Sequence, residues 1–416
     1  MVDGLIEREA EPLVIEALSD TRVVFVMGAR QVGKSTLAAR VAERTPGTQI
    51  LTLDDKVVRD SASTDPGGFV AELGRPVVLD EVQRAPELLL AIKEAVDRDT
   101  SPGQFLLTGS ANVLSNRKVS DALTGRMEIV TLWPLSQAEI HGSSNNIVDA
   151  LFAAAPPQIV DAVVGRDAFV EPVVRGGYPE PRERMPRRRD RWFRDYLSTT
   201  LDRDLRDVSD AFKLAEMPRL LRLLATQAAG ILNYQTLADR LQLNHATVKS
   251  YVQLLETVFL VYRVPAWRPG LGAREVQSPK LAVVDSGLLA HLLGADEERV
   301  RHDDQVTGKV LENFVTMEVV KHLQSAAVDA RIHHYRDGRD EVDIVLEDRA
   351  GRVVAIEVKA SATVDGATTR ALTKLRERAG ERFTAGVVLY TGRQTVPLGD
   401  RLWAVPVSGL WDAGTA

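Results

Sequence analysis

Between residues 22 and 44 the chain commits itself to one kind of fold. Residues 22–27, Arg-Val-Val-Phe-Val-Met, form a short apolar run rich in β-branched side chains. That is the pattern of a parallel strand buried on both faces. Gly28-Ala29-Arg30-Gln31-Val32-Gly33-Lys34-Ser35-Thr36 follows at once and leads into a helical stretch over 36–44. G-x-x-x-x-G-K-S between a strand and a helix is the phosphate-binding P-loop. Glycines at 28 and 33 let the backbone turn its N–H groups toward phosphate oxygens, and the helix N-terminus adds positive potential. Lys34 is placed to reach the β- and γ-phosphates, and the Ser35 hydroxyl to ligate Mg2+. No Asn-Lys-x-Asp guanine-selecting motif occurs in the sequence, so ATP is the expected nucleotide, held with Mg2+ by residues 28–36.

Further apolar runs supply the rest of a parallel sheet. Residues 76–79 end in Asp80-Glu81, where Asp80 is expected to support Mg2+ and Glu81 to polarise the attacking water. Residues 49–53 and 129–132 read as strands, and so does the run over 104–110, which ends in Thr108-Gly109-Ser110. Thr108 or Ser110 is placed to sense the γ-phosphate. Gly125-Arg126 precedes the last strand, and Arg126 is a candidate finger for a neighbouring subunit's ATP. Five strands alternating with helices predict a doubly wound P-loop core.

Composition closes off other chemistries. With no cysteine there is no disulfide framework, no Cys-ligated zinc and no thiol nucleophile, so any metal would be oxygen-ligated Mg2+. No apolar run reaches the roughly 18–20 residues of a membrane span, and the acidic first ten residues do not resemble a signal peptide. A cytoplasmic protein without a membrane partner is expected. Only 11 lysines occur among the 52 basic residues, which gives weight to any lysine inside a motif.

Past the core, residues 141–157 read as a loop or variable insert, and Gly176-Gly177-Tyr178-Pro179 as a sharp turn. Residues 181–194 hold Arg182, Arg184, Arg187, Arg188, Arg189, Arg191 and Arg194 against Glu183 and Asp190, a local charge of +5 in a chain of net charge −6. Such a cluster suits phosphate-backbone contact, a solvated helix face or acids on an adjacent subunit. Residues 234–255 read as two short helices around a turn near 243–245, with Val248, Val252 and Leu255 as the buried stripe. With a wing strand over 259–264 this predicts a winged helix, with Asn244, His245, Lys249 and Gln253 as the possible readers of DNA.

In the last third, residues 308–323 read as a helix carrying Glu312. Two strands over 341–347 and 352–359 flank a turn at 348–351; pairing 347 with 353 also brings 343 opposite 357. Asp343, Glu357 and Lys359 then share one face, where Asp343 and Glu357 could hold Mg2+ and orient a water for phosphodiester attack. A helix over 367–379 and a strand over 385–390 complete the unit. Asp343 with Glu357-Val358-Lys359 resembles the PD-(D/E)xK nuclease signature, with Val342 in place of the proline.

The whole order resembles a bacterial and archaeal family of AAA-type ATPases whose C-terminal half is a domain of unknown function with a nuclease-like core. The residues that carry the resemblance are 28–35, 53–55, 79–83, 107–110, 123–126, 134–136, 176–179, 278–281, 285–288, 312–313, Asp343 and 357–359. Thr124 departs from the small residue expected before Gly125-Arg126. The resemblance implies ATP binding and hydrolysis in a homo-oligomer. The expected organisation is an AAA-type P-loop core over 1–140, a loop and arginine-rich lid segment over 141–205, a winged helix over 206–300 and a restriction-endonuclease-like α/β unit over 301–416. One expected function is an ATPase acting on DNA or RNA through its C-terminal half, with or without cleavage. The other is an ATP-gated regulatory or scaffold protein whose inactive nuclease-like unit binds a protein partner.

Overall fold

The computed structural model describes residues 5–109, 123–205, 214–268, 278–338 and 340–412. Its first unit is a five-stranded sheet of β1 (Val23–Met27), β2 (Gln49–Thr52), β3 (Val77–Asp80), β4 (Phe105–Gly109) and β5 (Met127–Thr131). The order is β2-β3-β4-β1-β5 and every pair is parallel. Successive side chains of a strand point to opposite faces, so β1 feeds two cores. Val24 and Val26 pack with Leu37 and Val41 of the helix Lys34–Arg44, whereas Val23 and Phe25 pack with Leu79, Ile92 and Leu107. The five strand readings correspond to these elements within a few residues, and Ser110 lies outside the described residues.

Residues 141–157 are not a plain loop. Ile147–Phe152 is a helix, capped by the Asn146 side chain, which accepts from the backbone N–H groups of Val148 and Asp149. Ile147, Val148, Leu151 and Phe152 are all buried, an apolar face that the surrounding Ser, Asn and Pro residues mask in a compositional reading. Gly176 and Gly177 then form a tight junction. Gly176 has φ +69°, and a Cβ on Gly177 would stand 2.2 Å from the Leu135 carbonyl oxygen. The buried Asp285 carboxylate accepts from Gly177 N at 2.6 Å and from Leu288 N at 2.8 Å, so the turn is locked to the start of the helix Ser286–Leu293.

The arginine-rich stretch forms the helix Pro186–Thr199 and the turn before it. The middle unit contains the helices Met217–Thr226, Tyr234–Leu241 and His245–Thr257, followed by an antiparallel pair of β6 (Val261–Val264) and β7 (Lys280–Val283). Gln242 takes the left-handed conformation at φ 55°, and Asn244 caps the next helix by accepting from Thr247 N at 2.7 Å. Val248, Val252 and Leu255 are buried, as the spacing predicts.

The last unit is a mixed six-stranded sheet of β8 (Ala330–Asp337), β9 (Asp340–Asp348), β10 (Val353–Lys359), β11 (Phe383–Tyr390), β12 (Val396–Gly399) and β13 (Leu402–Pro406), in the order β12-β13-β11-β10-β9-β8. Strands β9 and β10 pair antiparallel with Glu347 opposite Val353, the register read from the sequence. The long helix Asp304–Ser325 packs on one side of this sheet and the helix Gly366–Ala379 on the other. Among the described residues no helix is long and apolar enough to cross a membrane.

Two glycines should respond in opposite directions. Gly177→Ala forces a methyl group against backbone and is expected to cost about 1–3 kcal/mol, read as a lower denaturation midpoint. Gly308 sits exposed inside the long helix, and a Cβ placed there would have nothing within 4 Å of it. Gly308→Ala is therefore expected to raise the midpoint by about 0.5–1 kcal/mol.

Candidate functional site

The loop after β1 is shaped by close approach and by left-handed backbone. A Cβ on Gly28 would meet the Leu132 carbonyl oxygen at 2.2 Å, and Gly33 has φ +99°. Gln31 also adopts φ 61°. Ala29 and Val32 are buried, while Ser35 and Thr36 are exposed at the start of the helix. Lys34 is buried, and its ammonium donates to Gly28 O at 3.1 Å and Ala29 O at 2.8 Å.

Opposite the loop, the Ser35 hydroxyl donates to the Asp80 carboxylate, 2.9 and 3.0 Å from its two oxygens. Thr108 on β4 donates to Asp80 Oδ1 and accepts from Glu81 N at 3.2 Å, so one hydroxyl fixes both acids. Glu81 sits in the left-handed region at φ 59°, and Gln83 donates its amide hydrogen to the Glu81 carboxylate. Strained non-glycine backbone at a strand end is a functional flag. The Ser35 and Asp80 oxygens suit Mg2+, which takes oxygen ligands. Lys34 and the loop's backbone nitrogens suit a polyphosphate. A cavity of about 480 Å³ lies alongside, with Arg30, Gln31, Glu81 and Arg84 on one wall and Arg184 and Tyr196 on the other.

Arg8 also belongs to this site, although no motif contains it. Its guanidinium donates to Val32 O in the loop at 2.7 Å, to Trp133 O at 2.6 Å and to Glu139 Oε1 at 2.9 Å. Only spatial proximity identifies it, since arginine is abundant in this sequence. Arg126 stands elsewhere. It precedes β5, whose Met127 pairs with Val23, so it lies at the N-terminal ends of the strands, opposite the end from which the loop after Met27 leaves. There it pairs with Asp97 at 3.1 Å, which lowers the Asp97 pKa through the hydrogen bond.

The arginine cluster divides. Arg189 is buried, Arg182 donates to Gly176 O at 3.0 Å, and Arg184 and Arg194 pair with Glu180 and Asp190. Arg187, Arg188 and Arg191 are exposed. In the middle unit Asn244, His245, Lys249 and Gln253 are exposed as well. His245 and Lys249 face a groove of about 1450 Å³ that is also lined by β5 and β8.

At the C-terminal sheet Asp343, Glu357 and Lys359 do share a site. Lys359 Nζ is 2.8 Å from Glu357 Oε1, and Asp343 Oδ2 accepts from Val358 N at 2.9 Å. The sequence reading placed Lys280 in the 278–281 segment but gave it no role in this site. From β7 its buried ammonium reaches Glu312 at 2.6 Å and both Glu341 and Asp343 at 3.0 Å. These acids raise the Lys280 pKa against the effect of burial. Burial first, then the charge of Asp343, pushes Glu312 up to about 8 and Glu357 to about 7.

Residues 20–141 match the AAA domain family. Residues 166–299 and 307–410 match two domains of unknown function, DUF8612 and DUF4143. Uncharacterized proteins of Mycobacterium tuberculosis and Mycobacterium bovis are 28% identical over 417 residues, which covers 99% of this chain and 86% of each relative. Among solved structures, a Walker-type ATPase of Pyrococcus abyssi is 16% identical with a TM-score of 0.44, over 70% of this chain and 97% of that one. The RuvB Holliday junction branch migration motor of Thermotoga maritima is 20% identical with a TM-score of 0.28, over 64% of this chain and 92% of that one.

Two measurements test this geometry. Arg8→Ala frees the Val32 carbonyl and is expected to weaken binding of a fluorescent ATP analogue by about tenfold, the loss of one charge-assisted bond. Separately, Glu312 and Glu357 bind their protons more tightly folded than unfolded. The stability they contribute is full below about pH 4.5 and is lost as pH rises through 7 and 8. The melting temperature is expected to fall between about pH 5 and 8, with a shallower slope in Glu312→Gln. The unit at residues 20–141 thus combines the parallel sheet and phosphate loop of a P-loop NTPase fold with a match to the AAA domain family.

Proposed function

We propose that the chain is a Mg2+-dependent ATPase that works as a homo-oligomer and couples ATP turnover to action on nucleic acid through its C-terminal half. The observation that carries this reading is the joining of Ser35, Asp80, Glu81 and Thr108 into one hydrogen-bonded group beside Lys34. Mg2+ would be held by Ser35 and, through water, by Asp80, and would draw charge from the phosphates. Lys34 leaves its carbonyl partners for phosphate oxygens. Glu81 takes the proton of the attacking water, and Gln83 fixes the direction of its carboxylate. Thr108 holds the acids in place, and Thr108 or Ser110 would sense the γ-phosphate. Arg126 would act only on a neighbouring subunit, since it stands at the opposite end of the strands from its own loop.

Support for nucleic acid comes from the exposed Arg187, Arg188 and Arg191, from the winged-helix reading of residues 206–300, and from the nuclease-like grouping of Asp343, Glu357 and Lys359. The ATP-gated regulatory reading has its own support: Lys280 already fills the carboxylate cluster, and His245 and Lys249 line a groove that β5 and β8 also line. A steady-state ATPase assay separates the two readings. Stimulation by single- or double-stranded DNA or RNA that falls steeply with salt favours nucleic acid, and no stimulation by any of them favours gating. Lys34→Ala and Glu81→Gln are each expected to lower kcat by at least about 100-fold; parental turnover in both would refute the mechanism. Any Mg2+-dependent cleavage should vanish in Asp343→Ala/Glu357→Ala.

A further inference from the structure

Four carboxylates, from Glu312, Glu341, Asp343 and Glu357, gather at one side of the C-terminal sheet. The place among them where a bound cation would neutralise most charge is taken by the chain itself. Lys280 Nζ lies 2.6 Å from Glu312 and 3.0 Å from both Glu341 and Asp343, with its side chain only 6% exposed. The ammonium comes from β7, outside the sheet, whereas its partners come from the long helix and from β9.

The arrangement does not suit Mg2+ as it stands. Mg2+ demands oxygens at about 2.1 Å in near-octahedral array, while these oxygens surround an ammonium at hydrogen-bond distance. Among the described residues no group of three or more His, Asp or Glu side chains is placed to hold a metal ion. A divalent ion entering now would also meet the positive charge of Lys280. Even so, the cluster is not saturated. Glu357 is buried, and its Oε2 atom has no hydrogen-bond partner.

We infer that Lys280 is the resident cation of this cluster, a tethered ammonium that excludes divalent metal, so that Asp343 and Glu357 take up metal only when β7 withdraws its lysine. Strand β7 cannot move alone. Lys280 pairs with Val264 on β6, and Leu281 accepts from Ala229 N at 2.8 Å and donates to Gly230 O at 3.0 Å. Val283 of the same strand exchanges two hydrogen bonds with Asn313 of the long helix, so withdrawal takes the middle unit with it and parts this pair as well; the whole contact acts as an autoinhibitory clasp between the two C-terminal units. The inference does not depend on ATP hydrolysis.

The test is Mn2+ uptake by full-length, nucleotide-free protein, followed by electron paramagnetic resonance, with Asp80→Asn in every variant to remove any contribution from the P-loop. Without further change the protein is expected to take up no Mn2+ at the cluster. Lys280→Met is expected to bind one Mn2+ at least about tenfold more tightly than any site in the unmodified cluster, because uncompensated carboxylates then recruit a hard cation. Adding Asp343→Asn should abolish that uptake, and Lys280→Arg should remain metal-free. If Lys280→Met does not fold, Lys280→Met/Glu312→Gln, which removes the lysine together with its nearest partner, carries the same comparison. Uptake with Lys280 in place that Asp343→Asn abolishes would overturn the inference. So would a folded lysine-free variant that binds no more Mn2+ than its parent.

Discussion

The molecule depends on a short stretch of main chain, residues 132–139, that leaves the edge of the P-loop sheet. Leu132 N donates to Met27 O at 2.6 Å, and the Leu132 carbonyl sits so close to Gly28 that no side chain fits there. Trp133 O receives Arg8, Leu135 N donates to Gly177 O at 2.8 Å, and Leu135 O receives Lys321 at 2.9 Å. Gln137 N donates to Glu318 at 2.6 Å. Backbone groups buried away from water must be paired. Here the partners come from the nucleotide loop, the glycine turn, the N-terminal arginine and the long helix. The arrangement that shapes the phosphate loop is thus the one that seats the rest of the chain on it.

That dependence gives several sequence features a physical meaning. Gly28 and Gly177 are glycines because each faces a carbonyl oxygen of this stretch. Ser136 and Glu139 form a reciprocal cap, and Glu139 also accepts from Arg8 and from Glu9 N. The two buried pairs, Arg8 with Glu139 and Lys321 with Glu318, sit beside these backbone contacts and have further hydrogen-bond partners. Buried charges are tolerated only on such terms.

Much of the fold was legible in the sequence, for a reason that also marks where legibility ended. Strand β1 and the first three residues of β3 and of β4 are apolar because both faces are covered, and runs of that kind stand out. The β9–β10 register followed from one short turn, since a one-residue slip would reverse every side chain. The helix Ile147–Phe152 was hidden because its four buried residues are embedded in Ser, Asn, Ala and Pro. Arg8 and the place of Lys280 among the carboxylates were invisible for another reason. Val32 is 24 residues from Arg8, and Asp343 is 63 residues from Lys280, so only the fold brings them together. The walls of the P-loop were readable as a local motif, whereas the group that holds the loop from behind was not. The three C-terminal site residues were readable in the same way, and the cation placed among them was not.

The long helix Asp304–Ser325 carries both Glu318, bonded to Gln137 N, and Glu312, bonded to Lys280. Six residues separate them, about 9 Å along a rod that resists bending. Such a rod works as a lever with its fulcrum at residues 132–139. A tilt of about 10° at the fulcrum displaces the far carboxylate by about 1.5 Å, roughly half the length of the bond it makes. Asn313, next to Glu312, exchanges two hydrogen bonds with Val283 of β7, so a rotation beside the nucleotide loop would reach the carboxylate cluster and the strand that carries Lys280 together.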